Sequence, residues 1–159
     1  MKLVVFGNSG AGKSTLARAL AQRHGLAHLD LDTIAFDDAQ PGVRREPQVQ
    51  RALLQAFVDA HAAWVIEGCY ATLVAAAAAF ADELVWLDPG IEACLAHNRS
   101  RPWEPHKYAS KAEQDAMLSR LQAWVQQYET RDDEFSRAAH QRVFDDFAGR
   151  KRHVTSPTS

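Results

Sequence analysis

Four apolar residues, Leu3-Val4-Val5-Phe6, run directly into Gly7-Asn8-Ser9-Gly10-Ala11-Gly12-Lys13-Ser14. Beyond Ser14, apolar residues recur at helical spacing (Leu16, Ala17, Leu20, Ala21) until Gly25. A short unbroken apolar run fits a strand buried on both faces. A periodic stretch stopped by glycine fits a helix. Gly-x-x-x-x-Gly-Lys-Ser at a strand–helix junction is the context in which this spacing forms a P-loop. Its glycines let the backbone curl so that several N–H groups point inward at phosphate oxygens. The helix that follows adds its positive N-terminal end.

The mechanics of the loop assign roles to its residues. Gly7, Asn8, Ser9, Gly10, Ala11, Gly12, Lys13, Ser14 and Thr15 are the expected nucleotide contacts, with Thr15 beside the α-phosphate. Lys13 reaches the β- and γ-phosphates, and the Ser14 hydroxyl is a Mg²⁺ ligand. The chain lacks an Asn-Lys-x-Asp signature of guanine readers, so the expected nucleotide is ATP.

Further strands and helices alternate along the chain. Ala27 to Leu31 reads as a second strand, delivering Asp30 and Asp32 near its end. Residues 33 to 46 are polar and irregular. Pro47 suits the first position of a helix that runs to about His61. Trp64-Val65-Ile66 is a third strand ending at Glu67-Gly68, and Ala71 to Phe80 is a helix-prone alanine run. Glu83 to Leu87 is a fourth strand, and Pro89 opens a helix to about Asn98. A loop over 99–109 precedes two expected helices, Lys111 to Tyr128 and Asp132 to Phe147. Arg152 to Thr155 is a short fifth strand and 156–159 a loose tail. Such alternation implies an open α/β sheet with helices on both faces, read as one domain spanning 1–159.

Bulk properties exclude several classes. The 159 residues are enough for one buried core. A net charge of −2 gives no chain-wide electrostatic footprint for nucleic acid. No apolar run reaches bilayer-spanning length, so no membrane partner is expected. With no secretion signal recognised and two cysteines, Cys69 and Cys94, in neither metal nor disulfide spacing, we expect free thiols and a cytoplasmic location. Nothing in the sequence sets the oligomeric state.

The P-loop at Gly7 to Thr15, the Asp-bearing second strand at Leu29 to Asp32 and the short length resemble the small-molecule and nucleotide kinases related to adenylate and shikimate kinase. Within that group Val65-Ile66-Glu67-Gly68-Cys69-Tyr70 looks most like the Val-Ile-Asp-Gly-Asn-Tyr stretch of adenylate-kinase-like topology modulation proteins. The resemblance implies a P-loop NTPase fold, three layers α/β/α around a five-stranded parallel sheet in the order 2-3-1-4-5. It also implies an acceptor-binding region at about 33–62 and a lid at about 99–110. By resemblance to shikimate kinases, Asp30 helps hold the Mg²⁺ shell and Asp32 takes the acceptor hydroxyl. The chain carries neither the triple-glycine turn of shikimate kinases nor the Asp-Gly-Phe-Pro-Arg of adenylate kinases, so the acceptor stays open between small molecules and nucleotides.

Other residues are candidates on their chemistry. Glu67 follows the third strand, where an acid that holds Mg²⁺ or its waters belongs. Arg99 and Arg101 suit a clamp on the transferred phosphoryl group. Tyr70 either faces the acceptor or packs. Arg44 and Arg45 either bind an anionic acceptor or are solvated. His106, Arg131 and Arg137 are read as surface groups, and Arg150-Lys151-Arg152 as a solvated edge. Trp64, Trp86 and Trp124 belong in the core, while Trp103 sits in the loop. The expected activity is γ-phosphoryl transfer from ATP with Mg²⁺, using Lys13, Asp32, Arg99 and Arg101. The competing expectation is a nucleotide-binding switch without a small-molecule acceptor.

Overall fold

The computed structural model describes residues 1–156. Five strands, β1 (Lys2–Gly7), β2 (Ala27–Asp30), β3 (Trp64–Gly68), β4 (Glu83–Leu87) and β5 (Arg150–Val154), pair in the order β2-β3-β1-β4-β5. Every pairing is parallel. This is the order that the resemblance implies.

Period-two alternation explains why the strands read as continuous apolar runs. Val4, Phe6, Ile66, Leu84 and Trp86 point into one core, while Leu3, Val5, Val65, Val85 and Leu87 point into the other. Helices α1 (Lys13–His24), α5 (Ile91–Arg99) and α7 (Leu118–Gln126) cover the second face with Ala17, Cys94, Leu95 and Val125. Helices α3 (Pro47–Ala60), α4 (Ala71–Ala78) and α8 (Arg137–Asp146) cover the first with Leu54, Leu73, Val74 and Val143. A short α2 (Asp32–Ala35) and α6 (Lys111–Ala116) complete the set.

Side-chain caps set the boundaries that differ from expectation. The helix expected from Asp132 starts at Arg137 because Ser136 accepts a hydrogen bond from the Ala139 amide at 3.1 Å. The helix expected from Lys111 to Tyr128 is broken at Met117, whose backbone stays near helical values, so α6 and α7 meet at a kink. Within the stretch expected to be irregular, α2 forms because the Asp30 carboxylate accepts the Asp32 amide at 2.9 Å and tightens the turn. Strand β5 begins two residues earlier than expected; its exposed Arg150, Lys151 and Arg152 make a charged edge. Of the expected tail, residues 157–159 lie outside the described residues.

Beneath the first face runs a buried polar chain. Trp86 Nε1 donates to the Tyr128 hydroxyl at 3.1 Å, Tyr128 lies 2.7 Å from His140 Nδ1, and His140 Nε2 lies 2.8 Å from the Cys69 carbonyl. A carbonyl only accepts, so Nε2 carries the proton. Nδ1 of the neutral ring then accepts from Tyr128, whose oxygen accepts from Trp86. His140 is fully buried, and burial pulls its imidazolium down to about 4 from 6.5.

The unfolded chain therefore takes up a proton on His140 below about pH 6.5 that the folded chain refuses until about pH 4. At about 1.4 kcal/mol per pH unit, this group withdraws roughly 3 kcal/mol of stability as pH falls through that window. His140→Gln keeps one donor and one acceptor but does not titrate. Urea denaturation should find the variant less stable than the wild type at pH 7.5, with the gap shrinking by roughly 2–3 kcal/mol toward pH 4. A gap that stays constant across the window would show that His140 is not held neutral.

Candidate functional site

The P-loop joins β1 to α1 and is gripped from behind by α5. At Gly7 an added Cβ would lie 2.2 Å from the Leu87 carbonyl oxygen. At Gly10, with φ +84°, it would lie 2.3 Å from the Cys94 carbonyl oxygen. Only glycine admits backbone this close. Asn98 donates Nδ2 to the Ser9 carbonyl at 3.1 Å and accepts from the Ser9 hydroxyl at 3.2 Å. His97 Nδ1 donates to the Gly10 carbonyl at 2.6 Å. Asn8 caps the loop locally, taking the Ser9 amide on Oδ1 at 2.9 Å, and reaches Val125 on α7 at 3.3 Å. With these carbonyls facing backward, the loop's shape is set by protein contacts. Lys13 is buried and arches over the loop, its Nζ donating to the Asn8 carbonyl at 2.6 Å. Ser14 is half-buried at the start of α1, and Thr15 is exposed.

Carboxylates gather at the carboxyl ends of the neighbouring strands. The β2–β3 register sets Asp30 beside Glu67. Glu67 is buried, with Oε2 3.2 Å from His28 Nε2. Burial, helped by the charges of Asp32 and Glu67, pushes the Asp30 carboxyl up to about 7.

Asp32 is set differently. Tyr70 donates its hydroxyl to Oδ1 at 2.5 Å, and Lys107 Nζ stands 3.0 Å from Oδ2. Burial alone would raise this carboxyl, but the Lys107 ammonium, His106 and the Tyr70 hydroxyl outweigh it and hold Asp32 well below the usual carboxylate range. Burial would likewise lower Lys107, yet Asp32 and Glu104 keep it charged and raised. The Tyr70 hydroxyl, buried against Asp32, is pushed up and stays protonated.

Lys107 belongs to the segment 100–110, which is tied into a knot. Glu104 takes Lys107 at 3.0 Å and Arg101 at 3.0 Å. Gln114 on α6 accepts the Glu104 amide at 2.7 Å and donates to the Pro102 carbonyl at 3.0 Å. His106 Nε2 lies 4.0 Å from Asp32 and 3.5 Å from Glu104, and Asp32 raises its imidazolium above the ordinary value. His106 is thus drawn into the site, correcting its reading as a surface group. Asp30, Asp32 and His106 each offer an atom within 4.8 Å of the others. Trp103 donates Nε1 to the Tyr108 carbonyl at 3.0 Å and is 43% exposed.

The two halves meet at Cys69, whose thiol burial pushes up to about 11 and whose charged neighbours include Lys13, Asp32, Lys107 and Arg101. Among the expected residues, Gly7 to Ser14, Asp30, Asp32 and Glu67 therefore converge on one edge of the sheet. Arg101 is tied to Glu104, while Arg99 stands exposed at the end of α5. Arg137 and Arg131 are also more engaged than expected. Arg137 pairs with Asp88 at 3.1 Å, and the Arg131 guanidinium lies 4.2 Å over the Trp124 ring.

Sequence reasoning missed the roles of Lys107, Glu104, His97 and Asn98. Each acts on a partner more than seventy positions away or inside the loop knot, where periodicity carries no signal. A cavity of about 600 Å³ lies elsewhere, between α4 and α8. It is lined by alanines together with Asp132, Asp146 and Arg142, and by no P-loop residue.

No protein-family model matches the chain, and no curated protein matches it. Among solved structures it is similar to a shikimate kinase from Acinetobacter baumannii in complex with shikimate, at 21% identity over 89% of each chain with a TM-score of 0.46.

Proposed function

We propose that this chain is an ATP- and Mg²⁺-dependent phosphotransferase that moves the γ-phosphoryl group to a hydroxyl of a small-molecule or nucleotide acceptor. The observation that carries this reading is Asp32. It is an ionised carboxylate held by Tyr70 and Lys107 at the strand edge that also bears the P-loop.

The P-loop amides and Lys13 bind the phosphates. Mg²⁺ prefers oxygen donors, and a divalent cation would offset the Asp32 and Glu67 charges that add to burial in raising Asp30, so the residues fit the ion. Ser14, Asp30 and Glu67 would hold it, and when bound it neutralises charge on the phosphates. Asp32 has lone pairs left after Tyr70 and Lys107 are served, and these accept the acceptor hydroxyl. A carboxylate held this low is a weak base, so Asp32 orients the hydroxyl and does not take its proton early. The new bond forms from the acceptor oxygen to γ-phosphorus as the bond to the β,γ-bridging oxygen breaks. ADP leaves, and the hydroxyl proton passes to the transferred phosphoryl oxygens. Segment 99–110 acts as a lid: Lys107, Arg101 and Arg99 bring positive charge toward the phosphates, and closure keeps water out.

ADP formation from Mg²⁺ and ATP across a panel of small hydroxylated acceptors tests this. A large increase with one acceptor class is expected. A flat panel combined with tight, Lys13-dependent ATP binding would favour a nucleotide switch instead. Lys13→Ala should lower turnover by about 10²-fold or more through lost phosphate stabilisation. Asp32→Asn should lower kcat by roughly 10²-fold and leave the KM for ATP nearly unchanged; an equal loss in ATP binding would place Asp32 in the nucleotide site. Lys107→Ala should lower kcat/KM by about tenfold or more, and exposed Arg99→Ala by less. The reverse order would move the clamp from Lys107 to Arg99.

A further inference from the structure

One histidine nitrogen in the crevice is buried and has no partner. His106 Nε2 is shut off from water and makes no hydrogen bond among the described residues. Two carboxylates flank it, Glu104 Oε2 at 3.5 Å and Asp32 Oδ2 at 4.0 Å. Buried polar atoms are nearly always paired, and a bound ion is one of the few things that satisfies such an atom. The ring is also oriented, since its edge meets Phe36 with centroids 6.4 Å apart and planes at 61°.

Two further donors share the place. Asp30, Asp32 and His106 each offer one ligand atom, and these atoms all lie within 4.8 Å of one another. Asp30 spends Oδ1 on the Asp32 amide at 2.9 Å and leaves its other oxygen without a partner among the described residues. Asp32 keeps lone pairs beyond those used by Tyr70 and Lys107. Ligand atoms bonded to one ion at about 2.0–2.2 Å stand up to roughly 4 Å apart, so small side-chain rotations bring these three onto a common ion.

The donor set selects the kind of ion. Mg²⁺ takes oxygen ligands and keeps several waters, whereas an imidazole nitrogen beside carboxylates suits Zn²⁺, Co²⁺ or Mn²⁺. Ser14 and Glu67 are not in this cluster, and His106 comes from segment 99–110. The position is therefore distinct from that of an ion on the phosphates and shares only Asp30 with it. Lys107 is the competitor, with Nζ 3.0 Å from both Asp32 Oδ2 and Glu104 Oε2. An ion that takes Asp32 displaces the ammonium, which Glu104 still holds. Coordination uses the neutral ring, so His106 gives up any proton it carries.

We propose that Asp30, Asp32 and His106 form a site for a first-row transition ion, with Zn²⁺ the best fit, and that the ion pins segment 99–110 to the end of β2 and blocks Asp32 from an acceptor hydroxyl. The site stands on its own geometry, and the blocking rests on the phosphotransferase reading.

The test titrates Zn²⁺ calorimetrically into the full chain without nucleotide and follows Co²⁺ by its visible absorption. His106→Ala and Asp30→Asn should each weaken Zn²⁺ binding by about 100-fold, the upper end of what losing even an outer-shell partner costs. His106→Cys should restore it, because a thiolate is a zinc ligand. Mg²⁺ in about hundredfold excess should leave the Zn²⁺ bound. Zn²⁺ should raise the thermal midpoint of wild type and of His106→Cys and leave that of folded His106→Ala unmoved. Absence of binding, equal binding in His106→Ala and Asp30→Asn, or displacement by Mg²⁺ overturns the site. For the blocking, ADP formation is measured with and without Zn²⁺ at fixed Mg²⁺ and ATP, each variant against itself. Zn²⁺ should inhibit wild type and His106→Cys and spare His106→Ala. His106-dependent binding with undiminished turnover overturns the blocking and leaves the site. His106-dependent binding with no turnover on any acceptor leaves the site and removes the phosphotransferase reading.

Discussion

The parallel register of β1 against β3 and β4 is the constraint on which the crevice depends. With Phe6 opposite Gly68 and Trp86, and Asp30 opposite Glu67, every strand delivers its last residue to the same edge. The P-loop leaves β1 there, Asp30 and Asp32 leave β2, and Cys69 and Tyr70 leave β3. A slip by one residue would turn Phe6 and Val5 to opposite cores and misplace every one of these groups. Two-sided burial prevents the slip, because the odd and even residues of β1 each fill a packed layer. The hydrophobic pattern that makes the sheet is thus also what aligns its chemistry.

Charge in the crevice follows a second rule, that buried ions must be answered. Asp32 and Lys107 are each unfavourable alone and acceptable together. Glu104 extends the pairing by answering both Lys107 and Arg101. Asp30 pairs with no cation among the described residues, and burial, with the Asp32 and Glu67 charges, raises its carboxyl against the weaker pull of Lys107. Two aspartates separated by one leucine therefore differ in character, one held ionised and the other raised well above the usual carboxylate range. Their spacing alone does not separate them; only the resemblance to shikimate kinases implies different roles.

Legibility followed range. The P-loop could be read because its glycines, lysine and serine act through local backbone geometry, and the strands because their alternation is local too. The positions of Asp30 and Glu67 at strand ends were legible for the same reason. Lys107 was not, since its role comes from a distant partner at the start of α2, and the 99–110 loop offered several cations with equal claim. His97 and Asn98 were hidden inside an ordinary amphipathic helix. The late start of α8 had a local signal in Ser136, a residue type that caps helix N-termini.

Segment 100–110 and the P-loop are joined by one kinked helical element. Gln114 on α6 holds Pro102 and Glu104, and eleven positions later Val125 on α7 receives Asn8 of the loop. The Met117 kink lies between them. Releasing the segment from Asp32 requires parting Lys107 from that one carboxylate, since Glu104 moves with it, while the Gln114 bonds keep the segment tethered to α6. Under the proposed phosphotransferase reading, an acceptor hydroxyl that uses the free lone pairs of Asp32 leaves the Tyr70 and Lys107 contacts intact. Binding then adds to the network instead of competing with it, and Tyr70 stays in place beneath Arg44.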